Sequence, residues 1–176
     1  MSISTKQWEK LFLFSLGLFL AAGFCMKWME NDFVQGGEKF TIMGLELFYP
    51  KERVDIILAG LDEHVTAILR YHLSFDFAFM TGVFPGMAAL CMMAREKTAS
   101  TTLQKILFTL AVLQTVAWAC DIYENSRMLT WVYNKATGNE FDFYHIVVSL
   151  KWIIALAGAI VSIPLNIVKR KRKQRL

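Results

Sequence analysis

Four stretches of this chain, residues 11–29, 71–94, 104–128 and 143–168, are apolar over lengths that a small soluble core does not gather in one place. A helix needs about 20 predominantly apolar residues to cross a bilayer. Backbone polar groups find no water there, so a spanning segment must satisfy them internally, as a helix does. The 176 residues are 55% hydrophobic, enough to fill four such helices and leave one sizeable polar connection, residues 30–70. The expected fold is all-α: a four-helix transmembrane bundle forming one integral membrane domain over residues 1–176.

Charge orients the bundle. The formal net charge is +4, but the basic residues are unevenly spread, and six of the nineteen fall between Lys169 and Arg175. Lys6 and Lys10 precede the first stretch, while Arg95, Lys97 and Lys105 flank the connection between the second and third. Lysine and arginine are retained on the cytoplasmic side. Both termini and the middle turn are therefore expected inside, with residues 30–70 as an extracytoplasmic loop. The basic cytoplasmic tail, residues 169–176, reads as a stop-transfer anchor for anionic headgroups rather than a nucleic-acid site. Nothing marks a eukaryotic organelle, so a bacterial inner membrane is the expected location. Lys6, Lys10, an apolar core and Ala21-Ala22-Gly23 also resemble a signal peptide. Its removal would leave three spans and break the charge rule.

The first loop has its own pattern. Gly36-Gly37 punctuates it, and Phe40 to Tyr49 reads as one or two short strands or an extended crossing. After Pro50, Val54, Ile57, Leu58, Leu61, Val65, Ile68 and Leu69 recur at helical spacing, which predicts an amphipathic helix of about sixteen residues. Its expected place is the outer headgroup plane or the mouth of the bundle. In the second span Ala78, Gly82 and Gly86 form a row of small residues. Ala155, Gly158 and Ala159 form a similar one in the fourth. Both read as helix-packing seams. Pro85 removes a backbone donor beside Gly86, and a kink is expected there.

The polar residues inside the spans carry the functional signal. Asp121, Glu124 and Asn125 stand at i, i+3 and i+4, which places them on one helix face. A charge near the middle of a span costs at least about 2.5–3.5 kcal/mol on insertion scales. At the helical rise, Asp76 lies roughly 8 Å from the outer edge, Asp121 about 22 Å from the inner one and Lys151 about 12 Å deep. Asp76, Asp121, Glu124, Asn125 and Lys151 thus converge in the outer half of the bilayer, with His72, Arg127 and His145 expected at the rim. Lys151 can pair with Asp121 or Asp76, and Arg127 lies one turn beyond Glu124. Two readings stay open: a polar network that fixes helix register, or a site for a ligand, a proton or catalysis. Three carboxyls against one lysine leave negative charge in excess. That favours a bound cation, a cationic ligand or a carboxyl that keeps its proton.

Other chemistry has little support. The sequence contains no Gly-rich phosphate loop, H-E-x-x-H pair or G-x-S-x-G elbow. His72 and Asp76 have the i, i+4 spacing to share a metal, but both types are common at helix ends, and neither a metal nor another cofactor is expected. Cys25, Cys91 and Cys120 lie in apolar stretches without metal-site spacing and read as small buried hydrophobes.

An intramembrane Asp76 early in the second span, Asp121-Ile-Tyr-Glu124-Asn125 late in the third and Lys151 in the fourth resemble a set of small bacterial four-span proteins without an assigned activity. This resemblance implies no reaction. Asp76 followed by Phe84-Pro85 is also similar to the sterol-isomerase and sigma-2-receptor-like family of four-span proteins. That resemblance implies a long first loop and acidic residues around a cavity for sterols or amphiphilic amines. The D-x-x-E-N element has no counterpart in that family.

The expected function is the binding or transport of a lipid, amphiphile or cation. Asp121 and Glu124 would be the anionic anchors, Asn125 the orienting hydrogen-bonder, Asp76 a second anion and Lys151 the counter-ion. A membrane enzyme using a carboxyl as general acid/base on a lipid is the first alternative. A structural subunit of a membrane complex is the second. Membrane lipids are the expected partners, and a homo-oligomer or complex partner is compatible with the sequence. The topology has a direct test. With the three native cysteines removed, cysteines introduced at Gly37 and Gly138 should react with an impermeant reagent added from outside, and one at Ser100 should not. The opposite pattern would invert the bundle.

Overall fold

The computed structural model describes residues 4–167, which are helical almost throughout. Four helices are long and apolar enough to cross a membrane: α1 (Thr5–Met29), α3 (Glu63–Lys97), α4 (Thr101–Asn134) and α5 (Phe141–Ile167). The chain is thus built as an integral membrane protein. A shorter helix, α2 (Lys51–Gly60), lies between the first two. The basic tail falls outside the described residues.

Local chemistry sets the helix boundaries. Ser4 N–H donates to Gln7 Oε1 at 2.7 Å and opens α1. Asp62 Oδ1 accepts from Val65 N–H at 2.8 Å and caps α3, and Ser100 Oγ accepts from Leu103 N–H at the start of α4. Such caps satisfy donors that a helix leaves orphaned at its N-terminus. Lys135, at φ 55°, ends α4 in the left-handed region.

At 1.5 Å per residue the 35 residues of α3 span about 52 Å, well beyond a hydrocarbon core of ~30 Å. Only Thr98, Ala99 and Ser100 join α3 to α4, so both helices project at the opposite end, where residues 30–62 pack against them as a cap. The cap begins with a hairpin, β1 (Val34–Gln35) paired antiparallel to β2 (Glu38–Lys39). Its two-residue turn needs positive φ twice, and Gly36 at 58° and Gly37 at 85° supply it. A π-helical turn over Gly44–Phe48 leads to Pro50 and α2.

Three apolar cores stack along the bundle. Phe33, Phe40, Leu45, Val54 and Leu58 of the cap pack with Leu69 and Leu73 of α3, Met128 and Trp131 of α4 and Tyr144 of α5. Further along lie Met80, Phe84, Ala117 and Ile154. Cys91, Ala94, Leu107 and Ala111 follow toward the α3–α4 turn. Helix α1 lies along α3, where an added Cβ at Gly82 would sit 2.6 Å from the Phe19 backbone nitrogen and 2.8 Å from the Ser15 carbonyl. The small-residue row of the second span is thus where α1 makes close backbone approach. Gly158 on α5 instead makes room for side chains, facing Gln114 and Met87.

In the first loop the structure departs from the sequence reading in two places. The single helix of about sixteen residues is broken at Leu61 and Asp62. Its first half is α2, with Val54, Ile57 and Leu58 buried, and its second half opens α3 eight residues before residue 71. The apolar spacing runs across the break because both helices face the same core. Residues 40–49 are not strands or an extended crossing, since they coil into the π-helical turn that packs Leu45 into the cap core. Pro85 lies inside α3, which is continuous over Glu63–Lys97.

A polar clasp ties the cap to the α4–α5 connection. Thr137 donates from its N–H and its Oγ1 to Asp55 Oδ1, both at 2.7 Å. Lys51 Nζ donates to Asp55 Oδ2 at 2.6 Å, and Lys135 Nζ to the Leu61 carbonyl at 2.9 Å. Burial works to raise the Asp55 pKa, but these hydrogen bonds from Lys51 and Thr137 outweigh it and hold the carboxyl below its ordinary value. The stabilisation is therefore present above the unperturbed Asp pKa of about 3.9 and is lost as pH falls through the lower folded value. Asp55→Ala should ease opening of the cap by about 1.5–3 kcal/mol, the range for hydrogen bonds to a charged group. Amide exchange over residues 33–60 reads this directly. Wild type and variant should differ at neutral pH and converge only on acidification.

Candidate functional site

A layer of charged side chains separates the cap core from the membrane-embedded cores on three helices at once. On α3 it is Asp76, between Leu73 and Met80. On α4 it is Asp121, Glu124 and Asn125, between Ala117 and Met128. On α5 it is Lys151, between Val148 and Ile154. All five are buried. The structure therefore brings together every residue that the sequence singled out for the site, and it decides the pairing. Lys151 Nζ donates to Asp121 Oδ1 at 2.8 Å and also forms an ion pair with Glu124 Oε2. Asp76 is not the lysine's partner, because its Oδ2 accepts from Asn125 Nδ2 at 2.6 Å. Asn125 thus spends its donor on positioning a carboxylate.

The expected rim is less uniform. Arg127 turns away from Glu124, and its nearest carboxylate is Glu140 of the α4–α5 connection at 3.8 Å. His145 stacks against Phe141 with ring centroids 4.4 Å apart. His72 is buried, stacks on Phe33 and approaches Glu30 Oε1 at 3.9 Å. Only His72 borders the site.

Glu46, which the sequence reading passed over, is the fourth buried carboxyl of the cluster. The π-helical turn of the cap carries it inward while Leu45 packs into the core. Burial first, and then the neighbouring charge of Glu124, push the Glu46 carboxyl well above its ordinary value, against the opposing pull of Lys151. One signal could have found it: Glu46 is the single ionisable residue in the apolar run Ile42-Met43-Gly44-Leu45-Glu46-Leu47-Phe48.

The cluster opens onto a cavity of ≈ 200 Å³. Glu30, Glu46, Asp76, Asp121 and Lys151 supply its charged wall. Phe79, Phe84 and Trp152 supply aromatic surface, and Met26 and Met43 add thioethers. Lys151 Nζ lies 5.3 Å from the centre of the Trp152 ring, within the range of a cation–π contact. Behind the wall, Tyr144 Oη, Asn125 Oδ1 and Glu124 Oε1 are buried with no hydrogen-bond partner among the described residues. Each such group costs about 1–3 kcal/mol. Among the described residues, no three His, Cys, Asp or Glu side chains are arranged to hold a metal ion.

No protein-family model matches the chain, and comparison with curated proteins and with solved structures finds no match. The site is therefore read from its own chemistry.

Removing the lysine isolates its role. Lys151→Met leaves Asp121 and Glu124 buried without a counter-charge and should cost about 3–5 kcal/mol, whereas adding Asp121→Asn and Glu124→Gln should recover most of it. Thermal melts in detergent measure both. Glu46 gives an independent pH signature. A carboxyl whose folded pKa is raised contributes stability that is complete below the unfolded value of about 4.3 and is lost as pH climbs through the folded one. Wild-type protein should lose stability on alkalinisation, and Glu46→Gln should flatten that slope.

Proposed function

We propose that this protein binds an organic cation, carried on a membrane amphiphile, in the cavity beside the charged layer. One observation supports this most: among the described residues, four carboxyls and a single lysine line a cavity whose remaining wall is aromatic, thioether and aliphatic. Carboxylates supply charge for a cation, and aromatic faces suit a weakly hydrated ammonium better than a small hydrated ion. Asp76 and Asp121 are the anionic anchors facing the ligand. Glu124 and Asn125 act from behind, the first by holding Lys151 and the second by holding Asp76. On the charge-based topology, the cap and cavity lie on the extracytoplasmic side of a bacterial inner membrane. The protein then binds or carries its ligand from the outer leaflet.

A second reading is favoured by one feature. Glu46 has a pKa raised by burial and by Glu124, and it lines the cavity. A carboxyl that keeps its proton beside a substrate is what general-acid chemistry on a lipid requires.

Titration of the purified protein in lipid nanodiscs with benzyltrimethylammonium and its uncharged carbon isostere separates these readings. The cation should bind and the isostere should not. Asp76→Asn and Asp121→Asn should each weaken binding by about tenfold or more, equivalent to at least about 1.4 kcal/mol. The Lys151→Met variant should gain more thermal stability from the cation than wild type does, because the ligand there replaces a missing charge. Equal affinity for cation and isostere would overturn the proposal. Turnover of a lipid that Glu46→Gln abolishes would establish the enzyme instead.

A further inference from the structure

We infer that the ligand of the acidic cavity is a long-chain amphiphile whose tail lies in the groove between α1 and α5, an inference that rests on the cationic reading of the cavity. The groove encloses ≈ 490 Å³ and is almost wholly apolar. Phe12, Leu16 and Phe19 of α1 form one wall, and Ile163 and Ile167 of α5 form the other. Its floor is α3, from Gly82 to Leu90. The polar side chain in it, Asn166, spends its amide on the Leu90 and Ser162 carbonyls at 2.9 and 3.0 Å.

Three observations join this groove to the cavity. Val83 lines both, so the two volumes meet at one residue of α3. The groove runs from Gly82 toward Leu90, away from the charged layer, about 12 Å along the helix at 1.5 Å per residue. It therefore lies where the tail of an amphiphile must lie once its head is among Asp76 and Asp121. The gap also opens sideways to the bilayer, since Ser15 and Ala22 are the buried residues of α1 and its other faces are exposed or half-exposed. A ligand dissolved in the membrane can enter between α1 and α5 without leaving the lipid.

The division of labour follows from the solvent. Lipid tails are as apolar as leucine, so moving a chain from bilayer to groove yields little hydrophobic free energy. The charged head supplies the affinity, and the groove decides which shapes can present that head. The decisive measurement is thus where the tail sits rather than how tightly it holds.

Two dodecyltrimethylammonium probes, one with a diazirine beside the head and one with it at the chain terminus, can be photolysed with the full chain in nanodiscs and their adducts mapped by mass spectrometry. Head adducts are expected at Met43, Phe84 and Trp152, and tail adducts at Leu16, Leu90 and Ile163. Excess benzyltrimethylammonium should suppress both sets. Ile163→Trp should fill the groove and remove the tail adducts while leaving head adducts in place. Ile163 is 41% exposed, so the larger side chain is not forced into the core. Leu16→Trp on the opposite wall gives a second variant. Tail adducts scattered over lipid-facing residues such as Leu13, Phe14 and Ile160, and insensitive to competition, would overturn the inference while the head adducts still uphold the cavity. Head adducts that miss the cavity would overturn the cation reading, and the inference with it.

Discussion

Lys151 is the one cation among four buried carboxyls, and the meeting of three helices depends on it. Its ammonium reaches Asp121 and Glu124, two groups one turn apart on α4, and so fixes α5 against α4 in both rotation and height. Asp76 and Asn125 add the matching tie between α3 and α4. Ions taken out of water lose several kcal/mol each, and their mutual attraction offsets that only with good geometry and further hydrogen bonds. The charged layer is therefore a poor way to gain stability and a strict way to specify register. A bundle offset by one turn would leave a lysine or a carboxylate in hydrocarbon.

The cap makes such a layer tolerable. Helices α3 and α4 run past the thickness of a hydrocarbon core, and the apolar residues of the cap close over their projecting ends. The charged layer consequently lies between two apolar compartments rather than at an open interface. Glu46 and Leu45 show the coupling within one turn of backbone: the leucine anchors the cap core, and the adjacent glutamate is delivered to the cluster. The Asp55–Thr137 clasp ties α2 of the cap to the α4–α5 connection.

Much of this was legible in the chain because membrane helices obey two simple measures, length and rise. The spacing of Asp121, Glu124 and Asn125 fixed a common face, and the depth of Asp76 and Lys151 placed them at that level. What a helical rise does not give is azimuth. The choice of Asn125 rather than Lys151 as partner to Asp76 depends on how α3 and α4 are rotated against each other. Arg127 was misplaced for a related reason: one turn beyond Glu124 is close in sequence terms, but its long side chain reaches Glu140 in the following connection. The cap was the hardest part. Its segments are too short to declare a period, and the run from Val54 to Leu69 keeps helical spacing across a break because two helices share one core. Asp62, an N-cap residue ahead of Glu63, was the sign of a new start. Glu46 left one local trace, as the single ionisable residue of an apolar run, but its delivery to the cluster is set by long-range packing of the cap.

If the cavity takes a cation, as we propose, the remaining question is why a resident lysine belongs there. A site of four carboxyls with no internal counter-charge could not stay assembled between ligands, since like charges and desolvation would drive the helices apart or protonate every group. Lys151 neutralises one charge and spans two carboxyls, which keeps α4 and α5 together whether the cavity is empty or filled. It also stands at the wall rather than in the middle, against the Trp152 ring, so the volume bounded by Glu46, Asp76 and Asp121 stays open. On the proposed reading, the negative charge it leaves uncompensated is what an incoming ammonium would use. A second lysine would abolish that attraction, and the loss of this one would remove the frame that makes the attraction local.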